Sequence, residues 1–154
     1  MRWARAMPSP VARSGRGLTA IAFDRELSAS ERKLVHDFFA RVGSVLEIPE
    51  NKFDVFTATY SASHGYHALA SLARAAERLG LDRKTALIAA AHALGDGIVA
   101  LREERTPVER LIHEAATPGG IAATVMETED RAGYRRIIER GLRAGVARAR
   151  SYSR

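Results

Sequence analysis

"IHEAATPGGIAAT", Ile112 to Thr124, is the stretch on which the fold turns. A helical apolar pattern runs into Thr117-Pro118-Gly119-Gly120, and a second helical pattern restarts at Ile121. Proline fixes φ, and two glycines without a Cβ let the chain turn sharply and pass very close to another group. That group is either a neighbouring helix or a small ligand.

Outward from this turn the sequence from Glu50 on reads as helix. Glu50 to Gly80 makes one long helix or two, weakened at Ser61, Ser63 and Gly65 and stopped at Gly80. Asp82 caps the next helix. There Leu87, Ala91, Leu94, Ile98 and Leu101 form one stripe and Ile88, His92, Gly95 and Val99 a second, a pattern that predicts burial on more than one side. Thr106-Pro107-Val108-Glu109 has the form of a capping box opening a short helix. A last helix is expected from near Thr128, with Glu129 and Asp130 at its positive end and Tyr134, Ile137, Ile138, Leu142, Val146 and Ala149 on one face.

Before Glu50 the pattern changes. "RWARAM" and "LTAIAF" (Leu18 to Phe23) read as short strands around a Pro-, Ser- and Gly-rich loop, and "SVLEI" (Ser44 to Ile48) as a third. Between them Ser28 to Glu31 is a capping box, followed by the apolar positions Leu34, Val35, Phe38, Phe39 and Val42. Three short strands make a marginal sheet whose edges call for a partner or for more chain.

At 154 residues the chain can bury a sizeable core. The absence of cysteine excludes disulfides, thiolate metal sites and a cysteine nucleophile, and fits a reducing cytoplasm. No apolar run approaches the length needed to span a bilayer, so no membrane association is expected. The net charge of +6 comes from abundant arginine, which suits an anionic partner or simply a GC-rich genome. Aromatic residues are only 6% and are not interleaved with the arginines, and Glu139 interrupts the basic run of the last helix; both count against a nucleic-acid platform. His64 and His67 have the helical spacing of a metal pair but no third ligand in view, so no metal site is expected.

Taken in order, "RAMPSP", "FDVFTATYSASHGY", "LARAAERLGLDRKTALIAAAHALGDGIVAL" and "ATPGGIAAT" resemble the second half of pyrroline-5-carboxylate reductases. The resemblance implies a mainly α fold. Residues 1–49 would be the C-terminal remnant of a Rossmann-like domain, a few short strands and one helix. Residues 50–154 would form an all-helical dimerisation domain of the 6-phosphogluconate dehydrogenase C-terminal type. It implies a homodimer of intertwined helices, and hydride transfer from NADPH or NADH to the imine carbon of a small cyclic carboxylate. By the same resemblance Thr57 is the catalytic hydroxyl near the ring nitrogen. Thr117, Gly119 and Gly120, with Thr124 close behind, bind the substrate carboxylate, and Pro8 and Ser9 lie at the cofactor.

Departures accompany the match. Ile121-Ala122 stands where the family has Thr-Thr, Tyr60 to Tyr66 replaces Ser-Gly-Ser-Gly-Pro-Ala-Tyr, and Ser9 replaces the Asn of a Pro-Asn-Thr-Pro segment. No Gly-x-Gly-x-x-Gly follows a strand, and Met1 falls inside the last part of the implied Rossmann domain. The expectation is that the chain alone does not bind the dinucleotide, and that a non-catalytic helical dimerisation protein is the alternative.

Overall fold

A computed structural model describes residues 2–104 and 106–152; within that range nothing is said of the side chains of Ala62, Ser63 and Glu104. The element order is β1 (Ala4–Pro8), a short 3-10 helix (Pro10–Ser14), β2 (Gly17–Phe23), α1 (Ala29–Ala40), β3 (Gly43–Glu47), α2 (Glu50–Tyr60), α3 (Ala62–Arg78), α4 (Arg83–Glu104), α5 (Val108–Ala115), α6 (Ile121–Arg131) and α7 (Tyr134–Ser151). The protein is mainly α with one three-stranded sheet, as expected. It divides into two compact units, Met1–Ala62 with Leu142–Arg154, and Ser63–Gly141.

In the first unit the sheet order is β1-β2-β3. β1 pairs antiparallel to β2, Ala4 opposite Phe23 and Pro8 opposite Thr19, while β2 and β3 run parallel with Gly17 opposite Gly43. α1 is the crossover between the parallel strands and packs on β2 and β3. The Ser28 capping box that starts it is present, with the Ser28 hydroxyl accepting from the Glu31 N–H and the Glu31 carboxylate accepting from the Ser28 N–H at 2.9 Å. The alternation of β2 puts Ala20 and Ala22 on one face, and these small residues leave room for Phe53 of α2, packed with Met7, Ile48 and Phe56. Arg5 of β1 lies over the Phe53 ring at 4.3 Å and reaches Glu50 at 2.7 Å and Asp54 at 2.9 Å. Burial opposes its charge, but these two hydrogen bonds outweigh it and hold the guanidinium pKa above its ordinary value. α7 closes on the far side of α2 at Gly145, where an added Cβ would stand 3.3 Å from that of Ala58.

The second unit is helical. The break that the serines suggested after α2 falls at Ser61, which takes an extended ψ of 121°. α3 ends in a Schellman turn: Gly80 N–H donates to the Glu77 carbonyl and Leu81 N–H to that of Ala76. Asp82 caps α4 by accepting from the amides of Lys84 and Thr85.

Four expectations are corrected. The loop after β1 is a 3-10 helix, because Ser9 caps it and Pro10 supplies a suitable φ at its first position. Pro107 itself is the N-cap of α5 and no side-chain cap bond forms, so Thr106 does not build the expected box. The last helix starts at Tyr134 instead of near Thr128. Gly133, at φ +87°, stops α6, so Glu129 and Asp130 lie in its last turn, where Asp130 is paired with Arg135 through two bonds of 3.1 Å. Finally, α4 is long and apolar enough by length and composition to cross a membrane, whereas no run of bilayer length was expected; little of it is buried in the single chain.

Candidate functional site

Thr57 lies two turns into α2, and its hydroxyl oxygen is buried without a hydrogen-bond partner, alone in this among the described side chains. Two residues on, the Thr59 hydroxyl makes the ordinary helix bond to the Val55 carbonyl at 2.9 Å. An unpaired buried hydroxyl costs about 1–3 kcal/mol, so it marks a place where a missing partner belongs.

Pro8 and Ser9 end β1 in the same unit. Pro8 has no N–H and closes the ladder opposite Thr19. Ser9 is fully engaged: its N–H donates to the Leu18 carbonyl at 3.1 Å, its carbonyl accepts from Ala12 at 3.0 Å and its hydroxyl accepts from Val11 at 3.2 Å. Because the chain turns away at Ser9, the Leu18 N–H loses its expected strand acceptor. The Tyr60 hydroxyl takes that place, accepting from Leu18 N at 3.2 Å while donating to the Leu18 carbonyl at 2.9 Å. The structure thus ties Pro8 and Ser9 to the Thr57 helix through Leu18 and Tyr60, neither of which the sequence marked for this role. The one available signal was Tyr60 standing three residues after Thr57, on the same helix face.

The second set of residues belongs to the other unit. Thr117 to Gly120 is a tight turn closed by Gly120 N–H donating to the Thr117 carbonyl at 2.9 Å, with Pro118 second and Gly119 third at φ +74°, the type II pattern. Gly120 is the N-cap of α6 and has no side chain to cap with, and no acidic residue occupies the first turn. The leading amides of α6 therefore point outward with the positive end of the helix dipole. A Cβ on Gly120 would lie 2.6 Å from the Thr117 hydroxyl oxygen, so glycine here lets that hydroxyl sit against the helix start. The Thr124 hydroxyl donates back to the Gly120 carbonyl at 3.0 Å. Thr117, Gly119, Gly120 and Thr124 are thus gathered within one turn and the first turn of one helix.

Two turns lead from a parallel strand into a helix, the kind of place that holds a dinucleotide pyrophosphate. After β2, the α1 N-terminus is already filled by the Glu31 carboxylate. After β3, α2 opens with Glu50, whose carboxylate holds Arg5. A cavity of about 770 Å³ lies by Trp3, Phe23, Asp24, Arg25, Glu26 and Glu50, at the end of β1 away from Pro8 and Ser9, where three carboxylates outnumber one guanidinium and disfavour phosphate. The described residues do not fit the pyrophosphate. Among them there is also no group of three or more His, Asp or Glu that could hold a metal ion.

A family model described as pyrroline-5-carboxylate reductase dimerisation matches residues 50–152. The pyrroline-5-carboxylate reductase of Thermus thermophilus is 33% identical over 153 residues, covering 94% of this chain and 57% of that protein. That of Mycobacterium tuberculosis is 28% identical over 165 residues, covering 94% of this chain and 56% of its own length. The chain spans a little over half the length of these relatives. Two solved structures share the fold. The 1-pyrroline-5-carboxylate reductase of Streptococcus pyogenes has a TM-score of 0.89 at 23% identity, over 98% of this chain and 59% of that one. The Plasmodium falciparum pyrroline carboxylate reductase with NADP bound has a TM-score of 0.86 at 20% identity, over 97% and 61%. By the family model that takes in its helices from α2 to α7, the chain belongs to the pyrroline-5-carboxylate reductase dimerisation family.

Proposed function

We propose that this chain is the dimerising, substrate-binding part of a pyrroline-5-carboxylate reductase, with the division between sheet and helical domain at residues 49 and 50. The observation that carries the reading is the buried, partnerless Thr57 hydroxyl, which can donate to or accept from a ring nitrogen. In the other unit, and taken by itself, the uncapped start of α6 behind Gly119 and Gly120 offers amides and a helix dipole that favour an anion such as a carboxylate. The cofactor class that accompanies the reading is NADPH or NADH, one structural neighbour being NADP-bound, and the described residues leave its pyrophosphate without a place.

Association of two copies is supported by surface. The chain exposes 12053 Å², while even two separate globules of half its mass would expose only about 9,200 Å² together. On α4 the side chains of Leu87, Ile88, Ile98, Val99 and Leu101 are all exposed in the single chain. A second copy covers such a helix better than lipid does, since His92 and Asp96 pair at 3.2 Å in its middle, where a bilayer is least tolerant of charge. The alternative, a helical dimerisation protein without catalysis, is favoured by the occupied α1 and α2 starts.

Calorimetry of the chain with L-proline, and with pyrrolidine as the ring without its carboxylate, tests the proposal. Saturable binding of proline and none of pyrrolidine is expected. A well-folded dimer that ignores both ligands leaves only the non-catalytic reading.

A further inference from the structure

Tyr60 carries a role beyond these assignments. It is the last residue of α2 and stands where the family resemblance places a serine. Its ring packs on Phe56 at a centroid distance of 5.0 Å, and its hydroxyl bridges both polar atoms of Leu18. The Leu18 carbonyl is at the same time the acceptor for Ser9 N–H. One hydroxyl thus joins the end of β1, the start of β2 and the last turn of α2, the turn that follows Thr57. A serine is too short to make this bridge, and phenylalanine fills the same volume without making it.

We infer that Tyr60 is a positioning residue of the proposed reductase site: through Leu18 it fixes the Pro8–Ser9 segment relative to the Thr57 hydroxyl. The inference rests on the function proposed above. Tyr60 touches no reacting atom. It acts by holding the groups on either side of it at one separation, the kind of support without which a preorganised site loosens. A purely stabilising contact would differ, since removing it would lower the melting temperature without selectively changing how Thr57 meets a ligand.

The test uses the whole chain as wild type, Tyr60→Phe and Arg5→Gln, the last loosening the opposite end of α2 at Glu50 and Asp54. Each is titrated with L-proline while the Thr57 methyl and the Leu18 and Ser9 amides are followed by NMR. In Tyr60→Phe the Leu18 amide should exchange about tenfold faster and proline affinity should fall about tenfold, with a changed Thr57 methyl shift at saturation. In Arg5→Gln the affinity should stay within about twofold of wild type. Equal affinity in wild type and Tyr60→Phe overturns the role of Tyr60 and leaves the proposed function standing. Equal losses in the two variants, or a Tyr60→Phe chain that no longer folds, reduce Tyr60 to a structural contact and overturn the inference. Absence of proline binding by wild type overturns the proposed function, and the role of Tyr60 with it.

Discussion

The Thr117 carbonyl accepts the Gly120 N–H at 2.9 Å, and the Thr117 hydroxyl oxygen occupies the space that a Cβ on Gly120 would need. The two glycines of this turn therefore serve different ends. Gly119 has φ +74° with nothing within 4 Å of a built Cβ, so its requirement is conformational. Gly120 has an ordinary φ of −78°, so its requirement is steric. Gly119→Ala should cost about 1–2 kcal/mol of stability. Gly120→Ala should cost less stability but displace the Thr117 hydroxyl and weaken proline binding more. Thermal melts and calorimetry on the two variants check this, and identical behaviour would contradict it.

Thr57 should show opposite effects on stability and binding. Thr57→Val keeps the shape and removes a buried hydroxyl that has no partner, so the free chain should be as stable as wild type or up to about 1 kcal/mol more so. Proline affinity should fall about tenfold in the same variant. A variant that loses stability shows that the hydroxyl is already satisfied within the protein.

The turns and caps closest together in sequence were the most legible. The Ser28–Glu31 box, the stop at Gly80 and the cap at Asp82 each involve residues two to five apart, so residue type and spacing suffice to read them. The Thr128 boundary misled because a threonine followed by acids looks like a helix start, and only the positive φ of Gly133 shows where α6 stops. Residues such as Thr57 and Gly120 came from family resemblance and not from periodicity. What sequence could not supply is the set of long-range contacts. Tyr60 meets Leu18 across 42 positions and Arg5 meets Asp54 across 49, and no local pattern encodes either pairing. The exposure of α4 was unreadable for another reason, since amphipathic patterning does not say whether the covering surface is the same chain or another.

The start of α1 should be pH-dependent. The Glu31 carboxylate is held below its ordinary pKa by the Ser28 backbone N–H first, then by the Ser28 hydroxyl, with Arg2 adding attraction at 2.7 Å. A depressed folded pKa means that the unfolded chain binds more protons. This contribution is then complete above the unfolded value of about 4.3 and is lost as pH falls through the lower folded value. Melts of wild type and Glu31→Gln should differ at pH 7 and converge below about pH 4. A gap that persists undiminished in acid would count against the capping box.

If α4 is covered by a second copy, Ile98→Glu should break the association. A charge placed in an apolar interface without a partner costs about 3 kcal/mol or more, roughly a hundredfold in dimer Kd. Sedimentation should find wild type as a dimer and the variant shifted to monomer with its helix content kept. A monomeric wild type would leave the exposed apolar side chains of α4 unexplained.

The proposed site is tested most directly by an NMR titration of the folded wild-type chain with L-proline, read at the Thr57 methyl and at the Gly119 and Gly120 amides. Saturable shifts are predicted at the Thr57 methyl, where the buried hydroxyl lacks a partner, and at the Gly119 and Gly120 amides, where the start of α6 is open to an anion. Unmoved resonances in a well-folded dimer would contradict the proposal and leave this chain as a dimerisation module without a substrate site.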